Sequence, residues 1–143
     1  MDRKIFRILD ANFNRSREGL RVCEEIARFY MESKTLSRDL RKARHAISAC
    51  WKVFPGSWTK LLAARDVRGD VGRRPSLLER DRKNIAAVFL ANAERTKESL
   101  RALEEFSKLI DEAVSEKFKK IRFQVYAIEK RAHPKLEALP RWK

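Results

Sequence analysis

The sequence contains two related copies of one segment. Residues 10–29 read DANFNRSREGLRVCEEIARF, and residues 90–109 read LANAERTKESLRALEEFSKL. At a constant offset of 80, eight of these positions carry the same residue. A weaker match follows at an offset of 78, where LRKARHAI from Leu40 aligns with FKKIRFQV from Phe118. This period is too long for a short-repeat solenoid, so the pattern predicts one duplication that gives a domain with pseudo-twofold symmetry.

Both copies show the periodicity of amphipathic helices, because apolar residues recur about every 3.6 positions. The chain has only four glycines and four prolines, and the alternation typical of strands is missing. The sequence therefore predicts an all-α fold, with one domain over residues 1–143. In it, two duplicated helical hairpins, residues 5–52 and 84–131, form a helical bundle. A less regular connector that contains Gly and Arg, residues 53–83, joins them, and residues 134–143 are expected to form a frayed tail.

The charge of the chain limits the classes of ligand. There are 34 basic and 20 acidic residues, a net charge of +14, which attracts nucleic acid, anionic lipid or phosphorylated metabolites. No apolar run approaches the roughly 20 residues of a membrane span, and the amino terminus lacks a signal-peptide pattern. We therefore expect a cytoplasmic protein with no membrane partner. Nucleic acid is the weaker alternative: it has a basic tail with Trp142 in its favour, but no nucleic-acid-binding motif is evident.

Two polar residues in each copy interrupt or border the apolar face. Asn12 and Asn92 fall near its centre, where an unpaired amide would cost about 1–3 kcal/mol. They could bond each other and fix the helix register, or line a polar cavity near the pseudo-dyad. Arg15 and Arg95 follow one turn later and could clamp phosphate oxygens or pair with surface carboxylates. Small residues nearby would leave room for a ligand or let the helices approach closely: Ser16, Gly19, Thr96 and Ser99.

The paired glutamates, Glu24-Glu25 and Glu104-Glu105, suggest acid/base or metal chemistry at first sight. Neighbouring residues of a helix point about 100° apart, so the two carboxylates of a pair do not converge. We therefore expect both pairs to belong to a solvated helix face.

The central part of the connector combines residues that suit phosphate binding. The segment LLAARDVRGDVGRR, residues 61–74, contains two glycines, two aspartates and four arginines. Gly69 and Gly72 would let backbone amides approach a phosphate, and Asp66 or Asp70 could hold Mg²⁺. The residue order of a P-loop is absent, so ordinary NTPase chemistry is not indicated. A plain surface loop remains the alternative.

These motifs, taken in order, resemble one known family. RILDANFNRSREGLRVCEEIARF is followed by LRKARH, LLAARDVRGDVG and ANAERTKESLRALEEFSK, and the resemblance runs from about Arg7 to Lys130. It is to the helical domain that precedes the barrel of thiamine phosphate synthase in many bacteria, regarded as an alternative hydroxymethylpyrimidine phosphate kinase. The family typically has Leu at the position of Phe13 and Ala at that of Ser16. The barrel is absent from this sequence, so we do not expect the chain to make thiamine phosphate by itself.

The resemblance implies ATP-dependent phosphorylation of 4-amino-5-hydroxymethyl-2-methylpyrimidine phosphate to the diphosphate, with Mg²⁺ accompanying ATP. Phosphoryl transfer depends mainly on positioning and charge neutralisation. We expect Arg65 to contact phosphate and Asp66 and Asp70 to hold Mg²⁺ or orient the acceptor. The expected binding residues are Asn12, Arg15, Asn92, Arg95, Gly69 and Gly72, with Arg41 and Arg44 as secondary candidates. The alternative is a non-catalytic domain that docks on the synthase barrel or senses a thiamine intermediate, and a homodimer is also open.

Overall fold

The computed structural model describes residues 2–53, 57–72 and 82–140, and these residues form five α-helices with no strand among them. The all-α prediction is therefore confirmed. The helices are α1 (Arg3–Glu25), α2 (Lys34–Cys50), α3 (Ser57–Ala64), α4 (Ile85–Ser107) and α5 (Glu112–Glu137). A π-helical turn, Ile26–Tyr30, extends α1, and a short 3₁₀ turn, Trp51–Val53, extends α2. None of the described helices combines the length and apolar character that a membrane crossing requires.

Side-chain caps fix where four of the helices begin. The Asp2 carboxylate accepts from the Lys4 amide at 2.8 Å at the start of α1, and Ser33, Asn84 and Asp111 cap α2, α4 and α5 in the same way. Each cap satisfies a backbone amide that has no partner within the helix. The four long helices therefore start where the sequence offers a short polar side chain.

The most extensive packing of the bundle is between α1 and α4, which lie antiparallel, and between α4 and α5. Cys23, late in α1, lies against Phe89, early in α4, with Sγ 3.4 Å from the Phe89 carbonyl oxygen. Phe13 is fully buried at the centre, with its ring centroid 4.1 Å from that of Trp51 and 5.5 Å from that of Phe118. Aromatic side chains from three parts of the chain thus share one core.

The crossing of α1 and α4 is unusually close at Gly19. A Cβ atom there would lie 2.3 Å from Thr96 Oγ1 and 2.8 Å from the Asn92 carbonyl oxygen. The Thr96 hydroxyl lies 3.4 Å from the carbonyl oxygen of Ser16 and 2.9 Å from that of Asn92. At this position the small residues therefore serve close helix packing, the second of the two roles considered for them.

The expectation that the paired glutamates lie on a solvated helix face is wrong for Glu24 and Glu104. Each is only 4% exposed. Glu24 accepts from Arg44 Nε at 2.8 Å, and Glu104 accepts from Arg122 Nε at 2.8 Å. The same ion pair thus joins the two helices of each hairpin, because a carboxylate beside the core needs a partner to be buried.

The expected frayed tail is wrong for residues 134–137, because α5 continues through Pro134 to Glu137. Ala132 and Leu136, on either side of the proline, are buried in the core. Their burial holds the helix together across the one backbone hydrogen bond that proline cannot make. The connector also contains a helix, α3, whose Leu61 and Ala64 are buried. Residues 54–56 and 73–81 of the connector and residues 141–143 of the tail, with Trp142, lie outside the described residues.

Candidate functional site

A half-buried ion pair between Asp10 and Arg65 joins the connector to α1. Arg65 follows α3 directly and donates to both carboxylate oxygens of Asp10, each at 2.8 Å. The Asp10 side chain is 5% exposed and the Arg65 side chain is 34% exposed. The hydrogen bonds to Asp10 raise the pKa of the Arg65 guanidinium above its usual range. Arg65 is therefore a permanent cation whose position is fixed by a two-point contact.

A cavity of about 680 Å³, here called the large cavity, opens beside this ion pair. It lies between the first half of α1 and the loop after α3, and Phe106 near the end of α4 closes one side. Its lining contains both cationic and acidic side chains: Lys4, Arg7, Asp10, Arg15, Arg65, Asp66 and Asp70. A cavity of this size is typical of a small-molecule site, and this mixture of charges suits a phosphorylated ligand with a divalent cation.

A second cavity of about 510 Å³, the small cavity, adjoins the large one. Ala11, Asn12, Arg15 and Asp70 line both, so they form a shared wall. The remaining lining of the small cavity is Gly72, Arg95, Glu98 and Ser99. The described residues form no ion pair with Arg7, Arg15 or Arg95, so the alternative that Arg15 and Arg95 pair with surface carboxylates has no support within this part of the chain.

The loop after α3 is shaped by its own carboxylates. Asp66 Oδ1 accepts from the Gly69 amide at 2.8 Å, and Asp70 Oδ1 accepts from the Gly72 amide at 2.9 Å. The two glycine amides expected to meet a phosphate are thus already bonded within the loop. Each aspartate has a second oxygen, and both side chains face the large cavity. Mg²⁺ in nucleotide sites binds one or two protein carboxylates, with waters and phosphate oxygens completing the shell, so Asp66 and Asp70 fit its requirement.

Asn12 satisfies its amide within its own helix while it borders both cavities. Its Nδ2 donates to the Ile8 carbonyl at 2.8 Å, and Asn92 Nδ2 donates to the Val88 carbonyl at the same distance. The two asparagines therefore bond neither each other nor a facing helix through these groups. Asn12 is 7% exposed and lines both cavities, whereas Asn92 lines neither.

The structure brings most of the predicted residues together and leaves three apart. The two cavities together are lined by Asn12, Arg15, Arg65, Asp66, Asp70, Gly72 and Arg95, and Gly69 lies in the loop after α3. Asn92 is outside it, and Arg44 is held by Glu24. Arg41 is exposed on α2 beside Ser37 and Arg38, in a different depression. Arg73 and Arg74 lie outside the described residues.

Asp10 is the main residue that the sequence prediction missed. It lies on α1, three residues before Phe13 and on the same buried helix face. In the sequence it is indistinguishable from any polar residue at the edge of an amphipathic helix. Its signal is the departure from the repeat, because the equivalent position of the second copy is Leu90. Lys4, Arg7 and Glu98 were also not predicted, since nothing in a solvated helix face distinguishes them from other charged residues.

A comparison with known protein families assigns the chain to one of them. Residues 7–131 match the model of the ThiD2 family. The chain belongs to that family. The match begins before Asp10 and ends after Arg122, so the two hairpin ion pairs and the pair of Asp10 with Arg65 lie within the ThiD2 region. The lining of both cavities lies there too, apart from Lys4. The resemblance described from the motifs of the sequence is to this same kind of domain.

Curated proteins similar to the chain are larger. A thiamine-phosphate synthase of Synechocystis sp. is 42% identical over 126 residues, which is 87% of this chain and 35% of that protein. A thiamine-phosphate synthase of Nostoc punctiforme is 40% identical over 126 residues, and one of Rhodopirellula baltica is 36% identical over 141 residues. The last covers 96% of this chain and 36% of the relative, so the chain spans about a third of the length of these proteins. No solved structure matches the chain.

Proposed function

We propose that this ThiD2-family chain is a cytoplasmic phosphotransferase that transfers the γ-phosphoryl group of ATP to hydroxymethylpyrimidine phosphate, giving the diphosphate used in thiamine biosynthesis. Three observations support this proposal. The family and the thiamine-phosphate synthases similar to the chain point to thiamine biosynthesis. The site offers several cations, and two aspartates of a glycine-containing loop face the same space.

The observation that carries the proposal is the shared wall between the two cavities. Arg15 and Asp70 lie there, where two ligands bound in adjoining cavities would meet. In the reaction, an oxygen of the acceptor phosphate forms a bond to the γ-phosphorus of ATP while the bond from that phosphorus to the bridging oxygen breaks, so ADP leaves. A phosphate monoester is already largely dianionic at pH 7, so the acceptor needs no general base.

The residues of this site would act by position and charge. Arg65, held by Asp10, and Arg15, at the shared wall, would neutralise the transferring phosphoryl group. Asp66 and Asp70 would hold Mg²⁺, which supplies charge neutralisation of the phosphate oxygens when it is bound. Asn12 would orient a ligand through its carboxamide group, which uses one of its two N–H donors for the Ile8 carbonyl.

The test is a coupled assay of ADP release with Mg²⁺-ATP, with and without hydroxymethylpyrimidine phosphate, and mass spectrometry of the product. We expect release that depends on the pyrimidine and a product heavier by one phosphoryl group. Asp66→Asn and Asp70→Asn keep an oxygen for the loop amides but remove the charge, and each should lower turnover by about 10²-fold. The control is Asp39→Asn, which should leave turnover unchanged, because Asp39 pairs with Arg131 and lines neither cavity.

A second candidate is a domain that binds the pyrimidine phosphate without transferring a phosphoryl group and acts with a synthase barrel. One oxygen of Asp66 and one of Asp70 already stabilise the loop, as in an ordinary surface turn. The similar synthases are also about three times as long as the matched region. Pyrimidine binding with no ADP release in the same assay would favour this candidate and reject the kinase.

A further inference from the structure

The two adjoining cavities differ in the chemistry of their walls. We propose that the large cavity binds the nucleotide and the small cavity binds the pyrimidine phosphate, so that Glu98 and Arg95 determine the specificity for the acceptor. This inference rests on the proposed function and extends it, because it assigns each substrate a place and gives roles to residues outside the phosphate clamp.

The shared wall fixes where the two substrates meet. Transfer requires the acceptor oxygen to lie about 3–3.5 Å from the γ-phosphorus and in line with the bond that breaks. Two separate cavities can satisfy this requirement only where they touch, at Asn12, Arg15 and Asp70. Each ligand must therefore direct its phosphate to this wall and extend the rest of its length into its own cavity.

The lining of the large cavity suits a nucleotide. Ile8, Val67 and Phe106 give it apolar surface, and the half-buried Phe106 ring can pack against a base. Lys4 and Arg7 add two cations beyond Arg65, so positive charge extends along the wall as a triphosphate requires. At about 680 Å³ this is also the larger of the two spaces, in agreement with the larger substrate.

The small cavity suits a compact aminopyrimidine phosphate. The Glu98 carboxylate is exposed to this space and can accept from the exocyclic amine of the ring, as carboxylates do from the amine of cytosine. Arg95 and Arg15 lie on the same wall and can bind the phosphate. Apart from Ala11, Gly72 and the buried Ser99, the lining is charged or amide-bearing, so it offers little apolar surface to a purine base and ribose.

The pseudo-twofold repeat supplies a matched control for Glu98. Glu18 occupies the equivalent position on α1 at the offset of 80, is exposed like Glu98, and lines neither cavity. A change from Glu to Gln has the same size and the same effect on net charge at both positions. A difference between the two variants therefore reports the location of the carboxylate and not the charge of the whole protein.

The experiment is isothermal titration calorimetry of the full chain with each ligand alone, hydroxymethylpyrimidine phosphate or the non-hydrolysable ATP analogue AMP-PNP with Mg²⁺. Glu98→Gln should weaken pyrimidine phosphate binding about tenfold, the effect of one hydrogen bond to a charged group, and leave AMP-PNP binding unchanged. Arg7→Gln should do the reverse. The controls Glu18→Gln and Arg28→Gln, an exposed arginine beyond the other end of α1, should change neither.

The outcomes separate this inference from the proposed function. If Glu98→Gln weakens AMP-PNP binding and spares the pyrimidine, or if Glu98→Gln and Glu18→Gln behave alike, the assignment of cavities is overturned while wild-type turnover still supports the kinase. If the wild-type chain binds both ligands with the expected pattern but releases no ADP, the cavities are as assigned and the kinase is rejected. A wild-type chain that binds neither ligand overturns both.

Discussion

The ion pair between Asp10 and Arg65 predicts that the two partners respond differently to mutation. The Asp10 carboxylate is 5% exposed, whereas a third of the Arg65 side chain is exposed to water. Arg65→Met would leave a buried carboxylate without its cation, which costs roughly 3–5 kcal/mol. Asp10→Asn would leave a guanidinium that water can reach and that can still donate to the amide oxygen, so we expect a cost of about 1–2 kcal/mol.

The measurement is urea unfolding followed by far-UV circular dichroism, with Lys108→Met as the control. Lys108 pairs with Glu105 in solvent, so its loss should leave the free energy of unfolding nearly unchanged. The double variant Asp10→Leu/Arg65→Met places at position 10 the leucine found at position 90 and removes both charges, and it should be more stable than Arg65→Met alone. Equal costs for Arg65→Met and Asp10→Asn, or a double variant no more stable than Arg65→Met, would refute the reasoning.

Three further predictions follow from packing and burial. Gly19→Ala should lower the free energy of unfolding by about 1–3 kcal/mol in urea, because its Cβ would meet the Asn92 carbonyl oxygen at 2.8 Å and force α1 and α4 apart. Glu24→Gln should lower the melting temperature markedly and Glu25→Gln hardly at all, because only Glu24 is buried against Arg44. Burial, with the charge of Glu129, raises the pKa of the Cys23 thiol to about 12. The folded state therefore keeps a proton that the unfolded chain loses above about pH 8.5, and stability should fall as the pH rises from there, by up to about 1.4 kcal/mol per pH unit. Urea unfolding between about pH 8 and 10 should show a steeper loss for the wild type than for Cys23→Ala, and parallel losses would contradict this account.

The helices were predictable because their apolar residues recur with the helical period and polar caps precede them. The error at Pro134 has a specific cause. Local sequence shows only the missing backbone donor of proline, whereas the burial of Ala132 and Leu136 against the rest of the bundle holds the helix together. That burial depends on elements far away in the sequence, so no local pattern could reveal it.

The residues of the candidate site were predictable where they belong to a local motif. They were not predictable where their role depends on a partner far away in the sequence. The connector motif predicted Arg65, Asp66 and Asp70 as one group, and the structure places all three at the large cavity. Asp10 is explained only by Arg65, which is 55 residues away. Glu24 was taken for a surface residue for the same reason, because its partner Arg44 lies on another helix. Spacing along one helix predicts neither pairing.

The connector explains why a chain with an internal sequence repeat has its candidate site beside only one copy of that repeat. In the second copy, Leu90 lies with Leu136 and Leu139 at the end of α5, where the cover is largely apolar. In the first copy, Asp10 occupies the equivalent position, and the residue that packs over it is Arg65. Buried charges cost stability unless they are paired. Both halves bury one carboxylate–arginine pair between the helices of a hairpin, and the first half adds the pair of Asp10 with Arg65, whose arginine comes from the connector. The half with Leu90 supplies apolar burial, while the half with Asp10 fixes the arginine and the loop that face the ligand space.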